Sequence, residues 1–285
     1  MNTKRAFTLV ELLTVIVIIS ILATLVTVAV TAAMRAAKIA KIGMQMNQIN
    51  MALDRYKAEF GEYPPDMFDD EALVRHVKKR WPRYVFTDAT EIRIAIGAAY
   101  GNGVDFTKPG SEIGSLALWL GGFPNVDGKL SGFSADPENP FTPNGAFDKK
   151  TFLDLEWGAD KNVRIEGYGV PVIGGEMKGV FVPIVYFKGK TDGGPDAYLI
   201  GDLPKLFDFS PLGLGICVPY IEEMNETTGI KWKNSSTFQL IHPGLDGKFG
   251  ASTERIIKPG TGIGAADWDN ITNFSDCKEL QSILP

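Results

Sequence analysis

Near its N-terminus the chain carries one long apolar run, FTLVELLTVIVIISILATLVTVAVTAAM, at residues 7–34. Its 28 residues exceed the roughly 20 with which an α-helix crosses the hydrocarbon of a bilayer. Lys4 and Arg5 precede the run, and no acidic residue accompanies them. This arrangement predicts a single-pass membrane helix with a cytoplasmic N-terminus and a body on the opposite side of the membrane.

Glu11 is the only charged residue within this run. An acidic side chain at the centre of a bilayer costs about 2.5–3.5 kcal/mol, and Glu11 costs less because it lies near the start of the run. It still needs a partner, which the positive end of a helix or a free amine there can supply. A secretory signal peptide and a plain signal anchor are the alternatives, but neither of them explains the acid.

The apolar pattern changes after residue 34 from continuous to periodic. Apolar side chains then recur at spacings of three and four, at Ile39, Ile42, Met46, Ile49, Leu53, Tyr56 and Phe60. This stripe predicts that one helix runs from about Phe7 to Phe60 and docks its second half on a globular body. Gly43 is a weak point in that helix, costing about 1 kcal/mol relative to Ala. Gly61 and the pair Pro64–Pro65 predict where the helix ends.

The rest of the chain predicts an α+β body with a small antiparallel sheet. Helices are predicted at 69–81 and 111–123, and residues 91–100 fit either a helix or a strand. Residues 127–147 are dense in Gly, Pro, Asn and Asp and are expected to form an exposed loop. Strand-like segments separated by Gly and Pro turns lie at 163–173, 179–189, 197–203 and 236–244.

Composition excludes several classes of protein. The net charge of −5 argues against a nucleic-acid binder. Only 2 Cys and 2 His are present, which excludes both a Cys/His zinc cluster and a disulfide framework. A disulfide between Cys217 and Cys277 is chemically allowed outside the cytoplasm, and two separate buried thiols are the alternative.

No catalytic residue is predicted, so the chain is not expected to be an enzyme. The GKT sequence at 189–191 ends like a phosphate-binding loop, but Ile184 stands where that loop needs Gly. His76 and His242 have no Cys or His at ligand spacing. They are expected to be a solvated helix side chain and a loop side chain, respectively.

Two segments near the C-terminus combine acids with glycines. HPGLDGKFG at 242–250 places Asp246 in a tight turn, and AADWDNITNFSD at 265–276 places Asp267 and Asp269 two residues apart. Calcium takes six to eight oxygens from carboxylates and backbone carbonyls, so three Asp in Gly-rich loops fit a calcium site. A Gly-rich hairpin beside an unrelated acidic turn is the alternative.

The segment KRAFTLVELLTVIVIISILA at residues 4–23 resembles the N-terminus of type IV prepilins and type II secretion pseudopilins. The resemblance implies cleavage between Ala6 and Phe7 by a prepilin peptidase, which also methylates the new amine. It further implies that Glu11 pairs with the N-terminal amine of a neighbouring subunit during assembly. Ala6 departs from the Gly that usually precedes the cut.

A second resemblance concerns the acidic loops. Gly244-Leu-Asp246-Gly247-Lys-Phe-Gly250 and Asp267-Trp-Asp269 are similar to the calcium loop of major type II pseudopilins. This resemblance implies a structural calcium ion bound by the side chains of Asp246, Asp267 and Asp269 and by a backbone oxygen near Pro243 or Leu245. Residues 251–266 separate the two halves more widely than in short pseudopilins.

Together these observations predict a pilin-like structural subunit of a pseudopilus or pilus-like filament in the inner membrane. The expected organisation is a leader (1–6), a membrane and assembly half of the helix (7–34), an amphipathic half (35–62) and an extracytoplasmic body (63–285). The expected partners are the prepilin peptidase, other pilin or pseudopilin subunits and an inner-membrane assembly platform. The alternative is a membrane-anchored module that binds a polysaccharide or protein through clustered exposed aromatics, such as Trp81, Trp119 and Trp157.

Overall fold

The computed structural model describes residues 9–101, 103–165, 167–225, 229–251, 256–258 and 267–282. The chain divides into two compact units, Met1–Lys41 and Ile42–Pro285. The first unit is helical wherever it is described, and all of the described sheets belong to the second. The fold is a long N-terminal helix with small β-sheets, which confirms the predicted α+β class.

Helix α1 extends from Leu9 to Phe60, as the continuous and then periodic apolar pattern predicts. From residue 42 onward, one face of α1 is buried: Ile42, Gly43, Met46, Ile49, Ala52, Leu53 and Tyr56. This face packs on the body through specific contacts as well as apolar ones. Gln45, for example, donates a hydrogen bond to the carbonyl of Gly174 at 3.2 Å.

Three shorter helices follow, and each begins where local chemistry favours it. Helix α2 covers Asp70–Arg80 and is capped by the Asp69 carboxylate, which accepts from the N–H of Ala72. Helix α3 covers Ala89–Tyr100 and is capped by Asp88 in the same way. A 3-10 turn at Ser111–Gly114 leads into helix α4, Ser115–Gly121. Residues 91–100, whose sequence pattern fits either a helix or a strand, are helical in the structure.

Thirteen short strands lie in the described body. They are β1 (Val163–Arg164), β2 (Val172–Met177), β3 (Val180–Pro183), β4 (Val185–Lys188), β5 (Leu199–Ile200), β6 (Leu203–Pro204), β7 (Phe207–Asp208), β8 (Ile216–Cys217), β9 (Ile221–Asn225), β10 (Gly229–Trp232), β11 (Phe238–His242), β12 (Ile256–Lys258) and β13 (Ile271–Thr272). All four predicted strand segments contain strands.

These strands form several small sheets, where one was expected. Strands β1–β2–β3 and β13–β11–β4 are antiparallel three-stranded sheets. Strand β9 pairs antiparallel with β10 and parallel with β12. The pairs β5–β6 and β7–β8 are separate antiparallel ladders.

The expectation that residues 127–147 form an exposed loop is wrong in part. The segment lacks helices and strands, yet Leu130, Phe133 and Phe141 within it are buried. Phe133 and Phe141 both contact the Trp81 ring, with centroids 4.9 and 5.4 Å away. The apolar side chains among the turns cover the end of α2, because burying them is more favourable than leaving them in water.

Candidate functional site

The first turns of α1 present an acid on an otherwise apolar surface. Glu11 lies in the first turn, where the positive end of the helix dipole favours a carboxylate. The large apolar side chains from Leu9 to Met34 are exposed, with Leu9 at 80%. Ala6 and Phe7, the predicted processing residues, lie outside the described residues.

Hydroxyl groups along the same segment are satisfied within the helix. Ser20, Thr24, Thr27 and Thr31 each donate to a carbonyl three or four residues earlier, at 2.7–2.9 Å, and Thr14 does the same. A bilayer core offers no water to such groups, so internal bonding is what a membrane-spanning helix requires. In the described chain, α1 is the one helix long and apolar enough to cross a membrane.

The two C-terminal acidic loops meet, as the predicted calcium site requires. The Asp269 carboxylate accepts from the N–H groups of Leu245 and Asp246 at 2.8 and 2.9 Å. The Asp267 carboxylate accepts from the N–H of Gly250 at 3.0 Å. Pro243, the other predicted backbone ligand, is buried in the same loop.

The outer glycines of the motif allow this close approach. A Cβ on Gly244 would stand 2.6 Å from the Asp269 carboxyl carbon, and one on Gly250 would stand 2.1 Å from an Asp267 carboxylate oxygen. No larger side chain fits at either position without moving the facing loop. The motif therefore encodes contact between its own two halves, which sequence spacing alone did not show.

The electrostatics of the loops favour a cation, although the side chains do not form a ligand cage. Burial raises the pKa of Asp246, and repulsion by Asp267 adds to it. Burial also raises the pKa of Asp269, helped by repulsion from Asp246. In the part of the chain that the structure describes, however, no three Asp, Glu, His or Cys side chains converge as a metal-binding group. Carboxylate and backbone carbonyl oxygens are the ligands that calcium prefers. In this structure, however, the carboxylates of Asp267 and Asp269 accept hydrogen bonds from backbone N–H groups.

Both histidines are buried, so the expectation of solvated or loop side chains is wrong. His76 is 1% exposed because its ring lies between the second half of α1 and Glu62. His242 ends strand β11 and is fully buried. Its Nδ1 accepts from the N–H of Gly244 at 3.1 Å, and burial lowers its pKa to about 3.

Cys217 and Cys277 are present as buried thiols, so the disulfide considered from the sequence is not formed here. Different contacts hold the two residues. Cys217 lies in β8, where it is paired with Phe207 of β7. The Cys277 thiol donates to the side-chain oxygen of Asn47 in α1 at 3.2 Å.

Two of the three tryptophans singled out for the binding-module alternative are buried and do not form an exposed aromatic surface, while Trp157 is half-buried. Trp81 and Trp119 are 7% and 1% exposed. The Trp119 ring contacts His76 edge to face, with centroids 5.0 Å apart. These two side chains therefore belong to the core.

Comparison with known proteins adds one finding. The family model described as the prokaryotic N-terminal methylation motif matches residues 1–27. The match covers 27 of the 285 residues and supports the resemblance of this N-terminal segment to that of type IV prepilins and pseudopilins. No curated protein and no solved structure matches the chain.

Proposed function

We propose that this protein is a subunit of a type II secretion pseudopilus or a type IV pilus-like filament. The observation that carries the proposal is the exposed apolar surface of α1 with Glu11 in its first turn, within a segment that matches the methylation motif. An exposed apolar surface of this size is typical of a segment that contacts lipid or another protein. A filament subunit needs both contacts in succession.

Assembly follows from the chemistry of that surface. The apolar run anchors the helix in the inner membrane, with the body outside the cytoplasm. Cleavage before Phe7 frees an amine close to Glu11. An assembly platform then moves the helix sideways from lipid into a bundle of subunits. There the Glu11 carboxylate pairs with the Phe7 amine of a neighbouring subunit. The amine neutralises the negative charge of Glu11, which lipid cannot do.

The proposal is tested by mass spectrometry of the protein purified from the membranes of the cells that make it. The expected mature N-terminus is a methylated Phe7, and an Ala6→Gly variant should be processed at the same bond. An N-terminus that remains at Met1 in both forms would contradict the proposal. Deletion of the peptidase gene should leave the unprocessed chain in the same fraction, as an internal control.

We also propose that the two acidic loops bind one calcium ion with a structural role. The carboxylates of Asp246, Asp267 and Asp269 would hold the ion, together with a backbone oxygen of Pro243 or Leu245. Support comes from the contact between the loops and from the mutual repulsion of their carboxylates. No Cys or His is among the proposed ligands, and their oxygen-only donor set favours calcium over zinc.

A further inference from the structure

A lysine amine and an aspartate carboxylate meet inside the body with almost no access to solvent. The Nζ atom of Lys205 lies 2.6 Å from Oδ2 of Asp66, and the two side chains are 7% and 3% exposed. Their surroundings are aromatic: the centroid of the Phe68 ring is 5.8 Å from the amine, and Phe187 and Phe207 pack against that ring. Two charges are therefore held away from water, where each costs several kcal/mol of desolvation.

The backbone of a third residue, Lys188, holds both partners in place. Its carbonyl oxygen accepts from the Lys205 amine at 2.7 Å, and its N–H donates to the Asp66 carboxylate at 2.8 Å. The N–H of Phe68 donates to the other carboxylate oxygen at 3.3 Å. The amine is thus fixed against a carboxyl group that backbone donors polarise. Groups oriented in this way react with effective molarities that reach about 10⁵–10⁸ M.

The charges nearby leave this pair undisturbed and leave it a route to solvent. The amine of Lys188 is paired with Glu62 instead, at 3.8 Å. A cavity of about 400 Å³ is lined by Asp66 and Lys205, and the exposed Asp192 lines it as well. A small molecule released at the pair can therefore leave the body.

We propose that Lys205 and Asp66 condense after folding into an intramolecular isopeptide bond. A proton first passes from Nζ to the carboxylate along their hydrogen bond, which gives an uncharged amine and an uncharged acid. The lone pair of Nζ then attacks Cγ of Asp66, so that an N–C bond forms and one C–O bond breaks. That oxygen leaves as water with two of the three amine hydrogens, and no oxidant or other reactant is needed. The amide is uncharged, so the reaction removes two buried charges.

The bond fixes the turn after α1 to the residue that follows β6. Asp66 and Lys205 are 139 residues apart in the chain, so the bond closes a long loop and restricts the unfolded chain. The ion pair is the state from which the bond forms. This reaction needs only the folded body and does not depend on assembly of a filament.

Mass spectrometry of the purified full-length protein under denaturing conditions tests the bond. The wild-type chain should be lighter by one water molecule than its sequence requires. Trypsin should fail to cut after Lys205 and should release a branched peptide that joins residues 58–75 to residues 191–231. Lys205→Arg keeps a positive charge at the position but should have the full mass. The branched wild-type peptide decides the question even if Lys205→Arg does not fold.

The matched control is the pair of Lys161 and Glu156, which is equally short at 2.6 Å but half exposed. Trypsin should cut after Lys161, and the products should be linear. A branched peptide at this pair as well would overturn the requirement for burial. A wild-type chain of full mass, cut after Lys205, would overturn the proposal. Loss of water within a linear peptide, which an Asp–Gly sequence can give by cyclisation, would overturn it too.

Discussion

The Nε2 atom of His76 accepts a hydrogen bond from the hydroxyl of Tyr56 at 2.7 Å. On the other side of the ring, Nδ1 lies 3.0 Å from the Glu62 carboxylate, which can only accept, so Nδ1 carries the proton. Arg80 in turn donates to the Tyr56 hydroxyl at 3.1 Å. This buried chain of bonds joins α2 to the second half of α1, and burial of the ring favours the neutral form of His76.

The network predicts a loss of stability in acid. Burial lowers the pKa of His76 from 6.5, so the unfolded chain takes up a proton below about pH 6.5 that the folded chain resists. The hydrogen bond from His76 lowers the pKa of Glu62 from 4.5 to about 2, so its stabilising contribution is lost as the pH falls from about 4.5 toward 2. Both groups make the folded protein less stable at lower pH.

Urea unfolding of the full-length protein in detergent, followed by tryptophan fluorescence, measures this effect. Between pH 6.5 and 5.5 the wild type should lose up to about 1 kcal/mol more stability than His76→Gln, which cannot titrate there. His242 is present in both proteins and cancels in the comparison. Equal pH slopes for the two proteins would show that His76 does not stay neutral in the fold.

Gly43 is predicted to be required in α1, although helix propensity suggests the opposite. A Cβ at this position would stand 2.9 Å from the carbonyl oxygen of Cys277, so the C-terminal segment would have to move. We expect Gly43→Ala to lower the free energy of unfolding by about 1–3 kcal/mol. Ala58→Gly, at an exposed position of the same helix, is the control for propensity and should cost about 1 kcal/mol. A stabilised Gly43→Ala protein would contradict the close packing.

A buried ion pair is predicted to hold the turn after α1 against the sheets. Lys205 lies 2.6 Å from the Asp66 carboxylate, and the two side chains are 7% and 3% exposed. Removing one charge leaves the other buried, so Asp66→Asn should cost about 3–5 kcal/mol. Glu156→Gln breaks the equally short but exposed pair with Lys161 and should cost at most about 1 kcal/mol. Equal losses in urea unfolding would contradict the role of burial.

The elements that sequence reasoning predicted well are those with a strong local signal. Helix α1 follows from continuous and then periodic apolar residues, and the strands follow from short apolar runs between glycines and prolines. The ambiguous segment 91–100 alternates like a strand at Ile92, Ile94 and Ile96. It is helical because Asp88 caps it and because Ile92 and Ile96 are buried while Ile94 is exposed.

The features that sequence reasoning missed depend on contacts between distant residues. Asp66 and Lys205 are 139 residues apart in the chain, and nothing near either one marks it as buried. His76 lies in a polar helix and is buried because Tyr56, Glu62 and Trp119, all distant from it in the chain or on other elements, contact its ring. The acidic loops are an intermediate case: their residues were identified from a motif, while the contacts between them required the fold.

Calcium is expected to stabilise the body through the two acidic loops. Removing it with a chelator should lower the melting temperature of the full-length protein, since an ion at 100 times its dissociation constant contributes about 2.7 kcal/mol. Asp269→Asn should abolish the difference between the chelated and calcium-loaded melts, whereas the exposed Asp160→Asn should keep it. If the wild-type melt does not change and elemental analysis finds no metal, the chain has no calcium site.

Glu11 is expected to be required for assembly and dispensable for folding. Glu11→Ala removes a charge from an apolar surface, so membrane insertion should be unchanged or better, and the tryptophan residues of the body should report wild-type unfolding. The carboxylate that pairs with a neighbour's Phe7 amine is lost, so filaments in the sheared fraction should fall below detection while the membrane fraction retains the protein. Thr14→Ala changes a polar residue one turn further along and should assemble normally. Filaments of Glu11→Ala at wild-type yield would show that the acid serves another purpose.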